Sequence, residues 1–407
     1  MSLQQNTDRI QTTHIGSLPR PHDVLDLLRA KFAGQPYDQN VLDAAIAKAV
    51  KESVRRQVEC GIDIVTDGEF SKPGFFTYIQ ERLEGFEARP NQKLMLFQQE
   101  VAAFPEYYAQ YFKEAMLGGT IVPVVPVICV GPVKYRGEQA LQKDIDNLKA
   151  AATAAGVPHD HVFMPATAPS GVGINEYYKT EEEYFHALAA ELNKEYKGVV
   201  AAGFLIQVDD PFLPDIFFEP GLTDAQKRRR AEIYVEASNA ALNGIPAERV
   251  RFHTCYGINE GPRLYEATLA DIIEYVLKVN AGSFSFEAAN PRHEHEYHLF
   301  ERVKVPEGKV LCPGVITHAS NIVEHRAAHA LRQTCWPRKR DGWGGLRLLL
   351  TSPLQDRSAS DGHLGEVQGD ASGRRSRYKA ALEIAIGLLR LVPLTGDRGF
   401  ESCFLHR

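Results

Sequence analysis

Residues 204–211 read Phe-Leu-Ile-Gln-Val-Asp-Asp-Pro, a short apolar run that ends in two carboxylates. The run is typical of a buried strand, because it is rich in branched and aromatic side chains and is bounded by Gly203 and Pro211. Segments with apolar residues at helical spacing flank it, over residues 181–202 and 224–244. This alternation of strand and helix predicts parallel strands joined by helical crossovers.

The same alternation continues through the first 325 residues. Strands are predicted over residues 12–17, 62–68, 121–129, 161–167, 204–209, 250–255, 283–287 and 309–316. Helical spacing is also clear over residues 41–60 and 264–280. About eight strand–helix units in one domain favour an α/β fold of the (β/α)8 TIM barrel type over residues 1–325. A doubly wound sheet is disfavoured, because no glycine-rich phosphate loop follows the first strand.

Composition excludes several classes of protein. The chain has 407 residues, of which 44% are hydrophobic and 24% charged, with a net charge of −6. These values exclude a disordered chain and a basic nucleic-acid-binding domain, and no apolar stretch is long enough to span a membrane. The first ten residues are polar and lack the core of a signal peptide. Six cysteines without paired spacing indicate reduced thiols, so we expect a cytoplasmic protein.

Three residues at predicted strand ends are candidate zinc ligands. His253 and Cys255 stand two positions apart, so a strand would place both side chains on one face. Glu287 ends the next predicted strand, and imidazole, thiolate and carboxylate all suit zinc. An isolated His-x-Cys pair is more often a buried cysteine beside a hydrogen-bonded histidine. Glu287 favours the metal, because a buried carboxylate with no basic neighbour in sequence is costly.

Other strand ends carry carboxylates and hydroxyls. Asp209 and Asp210 are adjacent, so only one can face the barrel mouth, where it would suit the ammonium group of an amino acid. The alternative is an N-cap for the following helix. Glu69 has the same two interpretations, and the backbone before Ser17 can hold a carboxylate through its N–H groups. His318 is either an acid–base group or part of the wall.

A dense run of histidine and glutamate covers residues 293–296. Its spacing is not the His-Glu-x-x-His pattern of a metalloprotease, and it follows a strand instead of lying within a helix. We therefore predict a loop or a helix start there, with Arg292 at the mouth.

Five of these motifs occur in an order that resembles the C-terminal catalytic domain of cobalamin-independent methionine synthase. The resemblance is closer to the stand-alone, single-barrel members of that family, and it covers residues from about 8 to 325. The motifs are Thr12-Thr13-His14-Ile15-Gly16-Ser17, Asp67-Gly68-Glu69, Val208-Asp209-Asp210-Pro211, His253-Thr254-Cys255-Tyr256 and Phe286-Glu287-Ala288.

The resemblance implies a barrel of the methionine synthase/uroporphyrinogen decarboxylase type and assigns roles to nine residues. Zn²⁺ would be bound by His253, Cys255 and Glu287, with a second cysteine completing the site. The backbone of homocysteine would be held by Ile15, Ser17, Glu69 and Asp209, with Asp215 further along the same loop. His318 would be the proton donor.

The implied activity is that of a 5-methyltetrahydropteroyltriglutamate–homocysteine S-methyltransferase. Zinc keeps the homocysteine thiol as a thiolate near neutral pH, and the thiolate attacks the methyl group of a methylated folate to give methionine. An acid must protonate the leaving amine, because an amine anion is a poor leaving group. Both partners are small molecules; neither a nucleic acid nor a membrane is expected.

The chain departs from the family in three ways. The amino-terminal half of the long methionine synthases is absent, with its folate contacts. The run Ala166-Thr167-Ala168-Pro169-Ser170 stands where the family has a folate-stacking tryptophan, so the methyl donor is open. The family's last zinc cysteine lies in an Asp-Cys-Gly run on the eighth strand, and the chain has no such run. Residues 121–137 would be an inserted hairpin, which leaves seven barrel strands before residue 325.

The last 82 residues differ in composition from the rest. Residues 326–407 carry 14 basic and 8 acidic side chains, or +6, whereas residues 1–325 carry −12. Arginine outnumbers lysine twelve to two there, and both tryptophans lie there. We interpret this as a shifted reading frame, since a one-nucleotide shift permits an Asp-Cys-Gly run over residues 342–351. The alternative is a true basic tail that is partly disordered.

An aberrant tail over residues 326–407 would disrupt the eighth strand and the last helix. The barrel would then have open edges, and its zinc would keep three protein ligands. Cys312, Cys335 and Cys403 are the available substitutes. We therefore expect weakened zinc binding and low stability.

Three functions fit the sequence. The leading one is zinc-dependent methyl transfer to homocysteine. The second is another reaction on the same barrel, such as alkyl transfer to a different thiol; decarboxylation is disfavoured, since it needs no metal-bound thiolate. The third is an impaired homologue that binds an amino acid without turnover.

Overall fold

The computed structural model describes residues 11–75, 77–90, 92, 97–114, 126–256, 261–316 and 347–351. The strands, in chain order, are β1 (Gln11–Thr13), β2 (Val65–Thr66), β3 (Leu83–Ala88), β4 (Val127–Tyr135), β5 (Val162–Thr167), β6 (Ile174–Asn175), β7 (Leu205–Asp209), β8 (Val250–His253), β9 (Ser283–Glu287), β10 (Val310–Gly314) and β11 (Arg347–Thr351). The helices are α1 (His22–Phe32), α2 (Gln39–Glu59), α3 (Ile79–Arg82), α4 (Gln98–Ala103), α5 (Pro105–Glu114), α6 (Glu138–Ala154), α7 (Glu181–Ala201), α8 (Phe212–Phe218), α9 (Asp224–Ala241) and α10 (Leu269–Val276).

Eight of the strands form one parallel sheet in the order β1-β11-β10-β9-β8-β7-β5-β2. A parallel bridge between Thr13 and Ile64 joins β1 to the segment that leads into β2. The two ends of the sheet therefore meet, and the sheet closes as a barrel. The predicted TIM barrel class is confirmed.

The eighth position of the barrel is filled by Arg347–Thr351. This strand lies between β10 and β1, with Leu349 opposite Gln11 and Leu348 opposite Leu311. The open edges expected from the sequence are therefore closed at this register. Backbone hydrogen bonds pair the strands, and these bonds do not depend on which side chains the strand carries. The disruption lies in those side chains: Arg-Leu-Leu-Leu-Thr contains no zinc-ligand type. The predicted boundary at residue 325 and the last helix lie outside the described residues.

A second sheet of three strands lies apart from the barrel. In it β4 pairs antiparallel with β3 and parallel with β6. Of the insertion expected over residues 121–137, the described part, residues 126–137, thus lies outside the barrel sheet. Its described part is one arm whose antiparallel partner is Leu83–Ala88, rather than a hairpin closed on itself.

Helices cover the outside of the barrel where helical spacing predicted them. Helices α2, α7 and α9 match the predicted segments to within three residues, and Thr223 caps α9 in a reciprocal capping box with Gln226. Helix α10 is shorter than the predicted 264–280, because residues before Leu269 form the loop that carries Arg263 and Glu266. In the described part of the chain, no helix is long and apolar enough to cross a membrane.

Alternation along the strands divides apolar from polar side chains. Ile206 and Val208 of β7 pack in the outer core between sheet and helices. Leu205 packs in a separate inner cluster with Phe163 and Cys312. Because successive strand residues face opposite ways, Gln207 and Asp209 share the inward face with Leu205.

Candidate active site

Ser17 and Glu69 meet at the mouth of the barrel, beyond the ends of β1 and β2. The Ser17 hydroxyl donates to Glu69 Oε1 at 2.9 Å. A Cβ added at Gly16 would lie 2.7 Å from the same oxygen, so a side chain there would displace the carboxylate. Two of the residues predicted to bind an amino acid are thus in direct contact, and glycine is required between the strand and the serine.

The backbone at Glu69 is held in an unusual conformation. Its φ of 57° lies in the left-handed region, which costs a non-glycine residue about 1 kcal/mol. Asp67 Oδ1 accepts from the Glu69 N–H at 2.9 Å, and Arg20 Nη2 donates to the Glu69 carbonyl at 2.8 Å. Burial raises the pKa of Asp67 to about 6. The bonds fix the direction in which the Glu69 side chain leaves the loop.

Asp209 and Asp210 have different roles. Asp210 Oδ1 accepts from the Leu213 N–H at 3.0 Å and from the Ser170 hydroxyl at 2.7 Å, so it caps the segment that follows. Asp209 faces the barrel interior, where Gln207 Nε2 donates to its Oδ1 at 2.7 Å. The capping interpretation thus applies to Asp210, whereas the binding of an ammonium group by Asp209 stays a prediction.

Asp209, Glu69 and Lys72 form a buried charge cluster. Burial raises the pKa of Asp209 well above its usual value, the charge of Glu69 raises it further, and Lys72 opposes both. Lys72 Nζ lies 3.6 Å from Glu69 Oε2, donates to the Pro165 carbonyl at 2.5 Å and lies 4.4 Å from the centre of the Tyr78 ring. Two carboxylates beside one lysine suit one further cation, such as the ammonium group of an amino acid.

Asp215 lies on α8 and is partly buried. Burial raises its pKa to about 7, and the charge of Arg263 opposes the increase. The charges of Asp210, Glu266 and Glu219 raise the pKa of Asp215 further. Asp215 thus lies on the helix that follows β7, and its contact with homocysteine stays a prediction.

The three predicted zinc ligands lie at the ends of neighbouring strands. His253 ends β8 and Glu287 ends β9; both are buried. Cys255 lies two residues beyond the end of β8 and is partly exposed, so the strand geometry assumed from the sequence does not extend to it. Their donor types suit zinc, but within the described residues no three His, Cys, Asp or Glu side chains come together as a metal group.

The other sequence candidates for this chemistry are Cys312 and His318. Cys312 lies inside the barrel with Phe163 and Leu205, and burial raises the pKa of its thiol to about 12. Zinc binds the thiolate, so Cys312 is a poor replacement for the missing cysteine. His318, Cys335 and Cys403 lie outside the described residues.

A buried ionic network joins the loops that follow β8 and β9. His293 lies 3.0 Å from both Glu266 Oε2 and Glu296 Oε2, and its ring stacks on Tyr256 with centroids 3.8 Å apart. Burial lowers the pKa of His293, but the two glutamates outweigh it and raise the pKa to about 9. Arg292 Nε lies 2.8 Å from Glu266 Oε2. The residue 293–296 run is thus a loop entering a short helix, and His293 is an ion-pair partner.

Sequence reasoning missed three residues of the site, Gln207, Lys72 and Glu266, and only the first has a signal in the sequence. Gln207 stands two residues before Asp209, so strand alternation alone places it on the same inward face. Lys72 follows Glu69 by three residues, but nothing in the sequence shows that its ammonium group turns back. Glu266 lies 27 residues from His293, and no spacing rule connects them.

Part of the chain matches a known protein family. Residues 10–117 match the family described as "Cobalamin-independent synthase, Catalytic domain". The matched segment contains Ile15, Ser17 and Glu69. Over these residues the chain is similar to the catalytic domain of cobalamin-independent methionine synthases.

Individual members of that family match over more of the chain. The methionine synthase of Sulfolobus acidocaldarius is 28% identical over 252 residues, which cover 61% of this chain and 62% of that protein. The 5-methyltetrahydropteroyltriglutamate–homocysteine methyltransferase of Thermotoga petrophila is 23% identical over 307 residues, which cover 71% of this chain and 36% of that protein. The match therefore spans less than two thirds of either relative.

Solved structures of B12-independent methionine synthases share the fold. The structure from Shewanella sp. W3-18-1, in complex with selenomethionine, superposes with a TM-score of 0.63 at 21% identity, covering 94% of this chain and 98% of that chain. A second, described as putative, from Listeria monocytogenes superposes with a TM-score of 0.59 at 19% identity, covering 94% and 98%. At these identities the likeness supports the fold alone.

Proposed function

We propose that this protein transfers a methyl group from a methylated folate to the thiol of homocysteine, giving methionine. The observation that carries the proposal is the cluster of Ser17, Glu69 and Asp209 at the barrel mouth, in a chain similar to the cobalamin-independent methionine synthases. Relatives named for this reaction support the choice of substrates. The scattered cysteines favour a cytoplasmic location.

In this proposal the charge cluster binds the amino-acid end of homocysteine. Glu69 and Asp209 hold the ammonium group, while Lys72 keeps the buried pair from carrying two uncompensated negative charges. Ser17 orients one Glu69 oxygen by its hydrogen bond, and the other oxygen lies 3.6 Å from Lys72 Nζ. In the overall reaction the thiol proton replaces the methyl group on the amine nitrogen of the folate. His318 is our proposed donor of that proton, and Asp215 remains a proposed substrate contact.

Zinc is the cofactor that the family resemblance implies, and it would make the thiol nucleophilic near neutral pH. His253, Cys255 and Glu287 are the proposed ligands. The described residues do not assemble them as a three-ligand group, so we base no step on the metal. The leucine-rich strand at the eighth position further supports weak zinc binding.

Methyl transfer can be tested with the purified full chain. L-Homocysteine and 5-methyltetrahydropteroyl triglutamate are supplied, and methionine is measured by mass spectrometry, with and without a chelator. We expect turnover that Glu69→Gln reduces strongly and that Glu59→Gln, a change on the exposed face of α2, leaves intact. Absence of methionine formation under all conditions would contradict the proposal.

A second candidate function is binding of an amino acid without turnover. It is favoured by the intact carboxylate cluster, together with an eighth strand whose residue types include no zinc ligand. Calorimetric binding of L-homocysteine or L-methionine by a preparation that forms no methionine would support this function in place of the first.

A further inference from the structure

One side chain connects opposite sides of the barrel at the proposed amino-acid pocket. Gln207 on β7 is fully buried, and its Nε2 donates to the Ile15 carbonyl at 2.6 Å and to Asp209 Oδ1 at 2.7 Å. Strands β1 and β7 are not neighbours, because β2 and β5 lie between them on one side of the barrel. The Gln207 amide thus spans the barrel interior.

The two bonds determine how the amide is oriented. Both acceptors, a carbonyl and a carboxylate, require a donor, so the nitrogen must face them. A primary amide has two hydrogens, and each is used by one of these bonds. Glutamate at this position would bring oxygen against both acceptors, and an apolar side chain would leave both without this donor.

Arg251 holds the same segment from the neighbouring strand. Its guanidinium donates to the Thr13 hydroxyl at 3.1 Å and to the His14 carbonyl at 3.2 Å, and it stacks on Phe163 at 3.7 Å. Thr13, His14 and Ile15, at the end of β1, are thus each bound by a side chain that crosses the barrel. Unlike Arg251, the Gln207 amide also donates a hydrogen bond to Asp209, so it joins the two halves of the proposed pocket directly.

We propose that Gln207 is a positioning residue, which fixes the distance between the Ile15–Ser17 segment and the Asp209 carboxylate so that both meet one amino acid. This inference rests on the proposed function. Gln207 is not expected to touch the reacting atoms. Its effect should be confined to ligands that carry the ammonium group that Asp209 is proposed to bind.

The test compares two ligands that differ only in that group. Isothermal titration calorimetry measures binding of L-methionine and of 4-(methylthio)butanoate, which lacks the amine, to the full chain and its variants. We expect Gln207→Met to weaken L-methionine about tenfold, as for the loss of a hydrogen bond to a charged group, and to leave the amine-free ligand within about twofold.

A second buried glutamine supplies the control. Gln57 on α2 bonds the backbone of Thr66 in both directions, and neither bond involves Ile15 or Asp209. Gln57→Met should lower the melting temperature without changing the ratio of the two affinities. If Gln207→Met does not fold, Gln207→Asn takes its place, because its shorter amide cannot reach both acceptors.

The outcomes distinguish this inference from the proposed function. If the unchanged protein binds L-methionine, and Gln207→Met leaves that affinity unaltered or weakens both ligands equally, the positioning role is wrong while the proposed function stands. If the unchanged protein binds neither L-methionine nor L-homocysteine, the proposed function fails and the inference fails with it.

Discussion

Raising the pH should lower the free energy of unfolding, because His293 loses its proton. This side chain is only 4% exposed, lies between Glu266 and Glu296 and stacks on Tyr256; Arg292 lies against Glu266. Burial alone would lower its pKa, but the two carboxylates raise it from 6.5 to about 9. Protonated His293 is therefore favoured in the folded protein relative to the unfolded chain.

The pKa difference gives the size and sign of the effect. A group whose pKa is raised on folding contributes stability below its unfolded pKa and loses that contribution as the pH rises through its folded value. For His293 the contribution is about 3 kcal/mol at pH 6.5, about 1 kcal/mol at pH 8 and close to zero at pH 9.5. Because the ring is buried, solvent screening reduces these values little.

Urea unfolding measures this contribution. The free energy of unfolding is determined by far-ultraviolet circular dichroism at pH 6.5, 8 and 9.5, with reversibility checked at each pH. His293→Gln should be less stable than the unchanged protein at pH 6.5, and the gap should nearly close at pH 9.5. His186→Gln, on the exposed face of α7, is the matched control and should follow the unchanged protein.

Parallel pH profiles would refute this reasoning. If His293→Gln and the unchanged protein lose the same free energy between pH 6.5 and 9.5, the two glutamates do not hold a proton on His293. If the two proteins have the same stability at every pH, the network contributes nothing to folding.

Three further changes test other parts of the structure. Gly16→Ala should weaken L-methionine binding about tenfold in calorimetry, because the added Cβ would displace the Glu69 carboxylate. Gly156→Ala is the control: Gly156 also has a positive φ, but a Cβ there meets no neighbouring atom, so the affinity should be unchanged. Arg82→Met should lower the free energy of unfolding by about 3–5 kcal/mol, because it removes the buried cation that pairs with Asp144 and Glu195. A loss below about 1 kcal/mol in urea unfolding would contradict this. Purified protein should hold less than stoichiometric zinc by atomic emission and lose it readily to a chelator; tightly held zinc with normal melting would contradict the proposed loss of a ligand.

Local sequence pattern determined most of the barrel. An apolar run bounded by turn residues is sufficient to define a strand, so Ser283–Glu287 was predicted with its observed bounds. The first two strands are shorter than predicted, because the chain leaves the ladder toward Gly16 and Gly68, which adopt positive φ. Alternation also placed Asp209 on the inward face, since neighbouring residues of a strand must point in opposite directions.

The strand at the eighth position could not be predicted in the same way. Arg347–Thr351 lies in a segment whose composition differs from the rest of the chain, and nothing local marks it as part of the barrel. Its place is decided by the two strand edges of β10 and β1, whose backbone groups accept any extended partner of suitable length.

The sequence by itself determined which residues are available for chemistry at the barrel mouth, and their order along the chain. Only the tertiary structure decided which of them meet. Gln207 bonds Ile15 across 192 positions of the chain, and Lys72 reaches the carbonyl of Pro165 across 93. Periodicity and capping act over a few residues, whereas these contacts depend on closure of the barrel, which brings distant strand ends within hydrogen-bond distance.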